Sequence, residues 1–318
     1  MIEVIEFRKE FLSQAAALFC ANFRALRQAV PVLPDSMEAE SLVAGKLEKL
    51  MAASHGVAAL EDGHLLGYLG WFLIPNFRDT GRKAALCPEW GHAALAGRKA
   101  AIYRALYRAA STQWAAAGCQ THALSLLAND TEAEKVWFWS GFGLLVVDAV
   151  RPLTGLGIEI LLGLEIRKAA LADVPELVEL EAEHWCHYAQ PPVFMASSAG
   201  GDAAEFTDLL QNPHNSVWLA LDGGQLAGYI RFEGSSFGAA DIVGAETTVA
   251  ITGAYVRPAY RGHKAAVAML DAALNDYAAR GFERCSVDFE SLNPEAATFW
   301  PRYFEPVCYS LMRVPEKI

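Results

Sequence analysis

Two stretches of this chain, about 160 residues apart, carry one pattern. Val57-Ala58-Ala59-Leu60-Glu61-Asp62-Gly63-His64-Leu65-Leu66-Gly67-Tyr68 is echoed by Val217-Trp218-Leu219-Ala220-Leu221-Asp222-Gly223-Gly224-Gln225-Leu226-Ala227-Gly228-Tyr229. Each is an apolar run, a turn of Asp and Gly, and a second apolar run, which predicts a β-hairpin. The echo continues at Trp114 to Gly118 and Tyr277 to Gly281, each the end of an Ala-rich helix stopped by glycine. Strands follow at Thr121 to Leu127 and Arg284 to Glu290. After each come an Asn and a short aromatic-rich helix: Asn129 with Trp137-Phe138-Trp139, and Asn293 with Phe299-Trp300. A period this long marks a duplicated domain, not a solenoid.

Each half therefore reads as strand, helices, hairpin, strand, helix, strand, helix, last strand. That order predicts an α/β domain: a mixed, mostly antiparallel sheet with helices on both faces. A length of 318 residues suits two such domains, placed at 1–158 and 159–318. Thr154-Gly155-Leu156-Gly157 supplies turn residues at the junction. In the second half Asp173 is expected to cap a helix, with Glu176 three residues on as in a capping box.

The N-terminus, Met1 to Glu10, lacks an unbroken apolar core, and no run reaches the ~20 apolar residues of a membrane span. A cytoplasmic protein with no membrane partner is expected. Six cysteines stand singly, without Cys-x-x-Cys pairs, so neither a disulfide framework nor a metal site is expected. The net charge of −11 argues against nucleic acid as partner. Residues 1–160 hold 15 basic and 16 acidic side chains, and the remainder 11 and 21. That asymmetry reads either as a solvated surface or as attraction for a cationic amine.

Arg261-Gly262-His263-Lys264-Ala265-Ala266 lies between an apolar run ending at Val256 and an amphipathic segment reaching Arg280. This predicts a strand-to-helix turn whose backbone N–H groups and helix dipole face an anion, phosphate above all.

From Val256-Arg257-Pro258-Ala259-Tyr260-Arg261-Gly262, through the helix, to Asp288 to Asn293 with Ala296, Phe299, Trp300 and Phe304, the second half resembles the GNAT superfamily of acyl-CoA-dependent N-acyltransferases. The whole chain resembles its tandem, two-domain members. The resemblance implies acetyl-CoA as co-substrate, with its pyrophosphate on the turn from Arg261 through Gly262, His263, Lys264 and Ala265 to Ala266. It also implies a splay between the fourth and fifth strands, with pantetheine bonded to the main chains of Tyr255 and Val256 and touched by Asn293. Asn293 reads equally as a plain helix cap. Lys264 replaces the middle glycine of the family turn. In the first half Arg98 to Tyr103 aligns with the turn and puts a tyrosine where Gly or Ala belongs, so that half reads as a non-catalytic copy.

Acyl transfer needs a base for the amine and an acid for the departing thiolate. Family members commonly use a Glu and a Tyr, but the Tyr position here is Trp300. Tyr303 and Tyr309 are the substitutes considered, each also readable as a packed aromatic. For the base, Asp288 and Glu290 share one strand face; Glu290 is the first choice and Glu246 the second. Glu89 and His92 form a further pair, better read as a satisfied structural cluster. The leading expectation is an N-acetyltransferase acting by direct attack of a primary amine, on a small molecule or an amino terminus, as monomer or homodimer. A catalytically silent CoA-binding sensor is the alternative, and an amino-sugar acceptor a variant within transferases.

Overall fold

The computed structural model describes residues 1–53, 56–157, 163–196 and 201–316. The chain divides into two compact units: residues 1–148, 240–242 and 305–318, and residues 149–239 and 243–304. The boundary expected between 158 and 159 lies outside the described residues.

Unit 1 contains β1 (Glu3–Glu6), α1 (Leu12–Ala29), α2 (Glu40–Ala53), β2 (Gly56–Glu61), β3 (His64–Gly70), β4 (Phe72–Ile74), β5 (Ala84–Cys87), β6 (His92–Ala94), α3 (Lys99–Ala116), β7 (Thr121–Leu127) and α4 (Thr131–Trp139). The division cuts β8 (Gly143–Pro152) after Asp148. Unit 2 holds β9 (Leu164–Lys168), α5 (Val174–Tyr188), α6 (Ala203–Gln211), β10 (Ser216–Asp222), β11 (Gln225–Glu233), β12 (Thr248–Val256), α7 (Ala265–Ala279), β13 (Arg284–Glu290) and α8 (Pro294–Phe299). The last strand, β14 (Glu305–Arg313), belongs to unit 1, where it pairs antiparallel with β7 from Cys308↔Leu127 to Arg313↔His122.

Both expected hairpins form. Asp62 and Gly63 turn β2 into β3, and Gly223 and Gly224 turn β10 into β11, all with positive φ, as a two-residue type I′ turn requires. Each hairpin also has a register shift at the same place, Ala59/Leu60 in one and Ala220/Leu221 in the other. Gly118 and Gly281 end α3 and α7 in the left-handed region that a side chain resists. Asp173 departs from its expected role. Its carboxylate turns back to accept the Ala170 N–H at 2.7 Å and grips the Arg167 guanidinium, while α5 opens instead on Pro175.

In unit 2, β9, β10, β11, β12 and β13 lie side by side, all pairs antiparallel except β12 with β13. One face buries Leu177 and Leu180 of α5 and Phe206 and Leu209 of α6 against Val217, Leu219, Leu226, Tyr229 and Tyr255. Helix α7 covers the other face, where Tyr277 meets Phe232 at 5.5 Å between ring centres. Unit 1 builds its core around Trp71, Trp114, Trp137 and Tyr103, all essentially buried.

Candidate active site

The parallel ladder between β12 and β13 runs from Thr248↔Arg284 to Ile251↔Val287 and ends there. Beyond it β12 continues to Val256 and β13 to Glu290. On its other edge β12 pairs Gly253 with Arg231 but Ile251 with Phe232, so Thr252 is an extra residue. Such a bulge bends and twists its strand, and the Thr252 hydroxyl pins it by donating to Glu233 at 2.6 Å. The strands thus part where the expected splay falls.

Main-chain polarity in this gap follows from alternation. The Arg257 N–H bonds the Ala227 carbonyl at 2.9 Å, so the groups of Tyr255 also turn toward β11 and those of Ala254 and Val256 toward the gap. The Val256 carbonyl accepts from Arg261 Nε at 3.0 Å. Ala254, with the Val256 N–H, therefore offers the polar edge that an amide-bearing guest would meet. Tyr255 contributes its ring, which stacks on His184 of α5 at 5.3 Å.

Side-chain faces follow from the same registers. Phe232 lies toward α7, so its partner Ile251, then Val287 and Phe289, lie toward α7 as well. Asp288 and Glu290 project from the opposite face, the one that carries Tyr229, Tyr255 and α5.

After Val256 the chain makes a short turn at Pro258–Tyr260 and enters α7 through Gly262 at φ 80° and Lys264 at φ 62°. Lys264 takes a left-handed backbone, at a cost of about 1–2 kcal/mol. A Cβ on Gly262 would meet nothing within 4 Å. Among the described residues, the N–H groups of Gly262, Lys264, Ala265, Ala266 and Val267 find no acceptor; that of His263 bonds the Tyr260 carbonyl at 3.4 Å. Four of the five open donors sit at or inside the helix start, where the dipole favours an anion. Arg261 is held by Glu295 at 2.6 Å, with its guanidinium 5.7 Å from the centre of the Tyr255 ring.

The other expected residues fall as follows. Asn293, buried, caps α8 by accepting the Ala296 N–H at 3.4 Å. Trp300 is buried edge-on to Phe304, and Tyr303 packs on Phe299 at 5.0 Å. Tyr309 lies on β14 against the core of unit 1. Glu246 stands exposed before β12, at the end of the parallel pair opposite to the gap.

One cluster escaped the sequence reading. The buried carboxylate of Glu181 accepts from the Tyr229 hydroxyl and, at 3.0 Å, from Trp185 Nε1, while His184 Nδ1 meets the same hydroxyl at 2.8 Å. Burial pushes the Glu181 carboxyl up, but the bonds from His184 and Tyr229 outweigh it and hold it below the usual range. Tyr188 follows, 4.4 Å from the His184 ring. Positions 181, 184 and 188 form a helical stripe, the signal that would have found them.

In unit 1 the equivalent features are filled by the protein itself. Glu132 accepts the N–H groups of Gly97 and Lys99 at 3.0 and 2.9 Å, and the Lys99 ammonium pairs with Asp130. Between β6 and β7, His92 Nε2 donates to the Ser125 carbonyl at 2.7 Å and Nδ1 accepts from the buried Tyr103 hydroxyl at 3.0 Å. Glu89 is apart from His92: it accepts the Ile242 N–H at 3.1 Å. Burial, with Asp241 nearby, pushes its carboxyl from 4.5 up to about 7. The folded state then binds the proton more tightly, so this stabilisation is complete below pH 4.5 and lost as pH rises through about 7. Glu89→Gln, a mimic of the protonated form, should remove that slope and gain on the order of 3 kcal/mol at pH 8; urea unfolding at pH 5 and pH 8 checks it.

Among the described residues no helix is long and apolar enough to cross a membrane, and no group of three or more His, Cys, Asp or Glu side chains is placed to hold a metal. Residues 178–304 match the acetyltransferase (GNAT) family. A GCN5-related N-acetyltransferase from Sphaerobacter thermophilus shares the fold over 100% of this chain and 97% of its own, at 15% identity and TM-score 0.55. A glucosamine N-acetyltransferase region of a fungal multi-domain β-N-acetylglucosaminidase is similar at 13% identity and TM-score 0.54, over 98% of this chain and 38% of that one. A tandem GNAT protein from the clavulanic acid pathway gives 16% identity and TM-score 0.49, over 98% of each. No curated protein sequence matches.

Proposed function

We propose that this chain, a tandem GNAT-fold protein with a GNAT domain at residues 178–304, transfers an acetyl group from acetyl-CoA to a primary amine of a small molecule or an amino terminus. The observation that carries the reading is the gap between β12 and β13 opening onto the donor-rich start of α7. Pyrophosphate would rest on the N–H groups from Gly262 to Ala266, and the extended arm of the cofactor along Ala254 and Val256. Glu290, at the lip of the gap, takes the amine proton, and the amine attacks the thioester carbonyl directly. The carboxylates on this face suit a cationic acceptor.

Trp300 at the usual tyrosine position favours a second reading, a cofactor sensor without turnover. Two measurements separate them. Calorimetry should give one acetyl-CoA per chain, lost in Gly262→Val, whose Cβ branch is forced into positive φ at the phosphate turn. Assay of free CoA thiol with a broad amine panel should then show release. Absence of binding sinks both readings, and binding without release leaves the sensor.

A further inference from the structure

We propose that Tyr188, at the end of α5, is the proton donor to the departing CoA thiolate, in place of the tyrosine that Trp300 displaces. The inference rests on the acetyltransferase reading above.

Three placements carry it. Strand registers put Asp288 and Glu290 on the face of the sheet that α5 covers, at the open end of the gap. Tyr188 lies on that face: its ring packs on His184 at 4.4 Å, and His184 and His187 pack on Tyr255, the penultimate residue of β12. The last turn of α5 is fixed from beneath by the buried Glu181, Tyr229 and His184 network, and from above by the Met195 N–H on the Tyr188 carbonyl at 2.9 Å. The Tyr188 hydroxyl itself has no hydrogen-bond partner among the described residues, although its ring contacts those of His184, Trp185 and His187. A phenol so held, with no partner among the described residues, is a donor waiting for an acceptor.

Electrostatics supply an order of events. Burial, and then the charges of Glu290, Asp288 and Glu181, push the Tyr188 phenol well above its usual range, so it enters the reaction protonated. When the amine attacks, the C–N bond forms and the amine proton passes to Glu290. That neutralises one of the charges holding the phenol proton. The C–S bond then breaks with its electron pair on sulfur, Tyr188 gives its proton to that sulfur, and the Glu290 proton returns through water to the phenolate. The products are the amide and CoA thiol, with both side chains restored.

The test is Tyr188→Phe, which keeps the ring and removes only the hydroxyl. Expected are a kcat lower by roughly 10- to 100-fold, an acetyl-CoA affinity unchanged by calorimetry and an unchanged melting temperature. Tyr303→Phe, run beside it, should keep wild-type kcat. A Tyr188→Phe enzyme with wild-type kcat overturns the assignment, as does a loss confined to acetyl-CoA affinity, which a packing role would give. A wild-type chain that binds acetyl-CoA but releases no thiol overturns the parent reading and this one together.

Discussion

Glu290→Gln should lower kcat for amine acetylation, the proposed reaction, by roughly 10²- to 10⁴-fold, the range for loss of a positioned base, and should leave acetyl-CoA binding intact. Glu290 is the last residue of β13, three positions beyond Val287, where pairing with β12 stops. Its carboxylate therefore projects beside the gap without belonging to the turn that would hold phosphate. An amide of the same shape keeps the packing and loses the proton acceptor, so the effect should fall on kcat and not on the cofactor. Asp288 sits two residues back on the same face, and Glu233 is engaged by Thr252 and Arg231. If Glu290→Gln turns over at the wild-type rate while Asp288→Asn does not, the base is Asp288 and the assignment moves one step along the strand.

The repeat made most of the fold legible, because hairpin turns and helix-stopping glycines are local: Asp62-Gly63, Gly223-Gly224, Gly118 and Gly281 all take the positive φ that their residue types invite. The turn from Arg261 to Ala266 was legible for the same reason. Non-local features were not. The bulge at Thr252, which decides that Ala254 and not Tyr255 turns its main chain to the gap, depends on the register with β11. That β14 completes the sheet of unit 1 is a matter of pairing between residues such as Leu124 and Leu311, far apart in sequence. Glu246 lies close in sequence to β12 but at its wrong end, because the stretch of β12 paired with β13, Thr248 to Ile251, separates it from the gap. The stripe of Glu181, His184 and Tyr188 obeyed a readable period, yet its meaning comes from Tyr229 across the sheet.

Asp130→Ala should destabilise unit 1 by about 3–5 kcal/mol, the usual result of stranding one member of a buried ion pair. The Lys99 and Asp130 side chains are 7% and 12% exposed. Asp130 also caps α4 through the Ala133 N–H at 3.0 Å, worth about 1 kcal/mol more. Lys99 and Glu132 together fill the start of α3, the position that in unit 2 is left open before Ala265. If that filling is structural, Lys99→Met combined with Asp130→Ala should recover much of the loss, since no charge is then stranded. Denaturant unfolding of the wild type, both single variants and the double variant gives the coupling. A single-variant loss below about 1 kcal/mol, the level of an exposed pair, would mean that the pair is open to water.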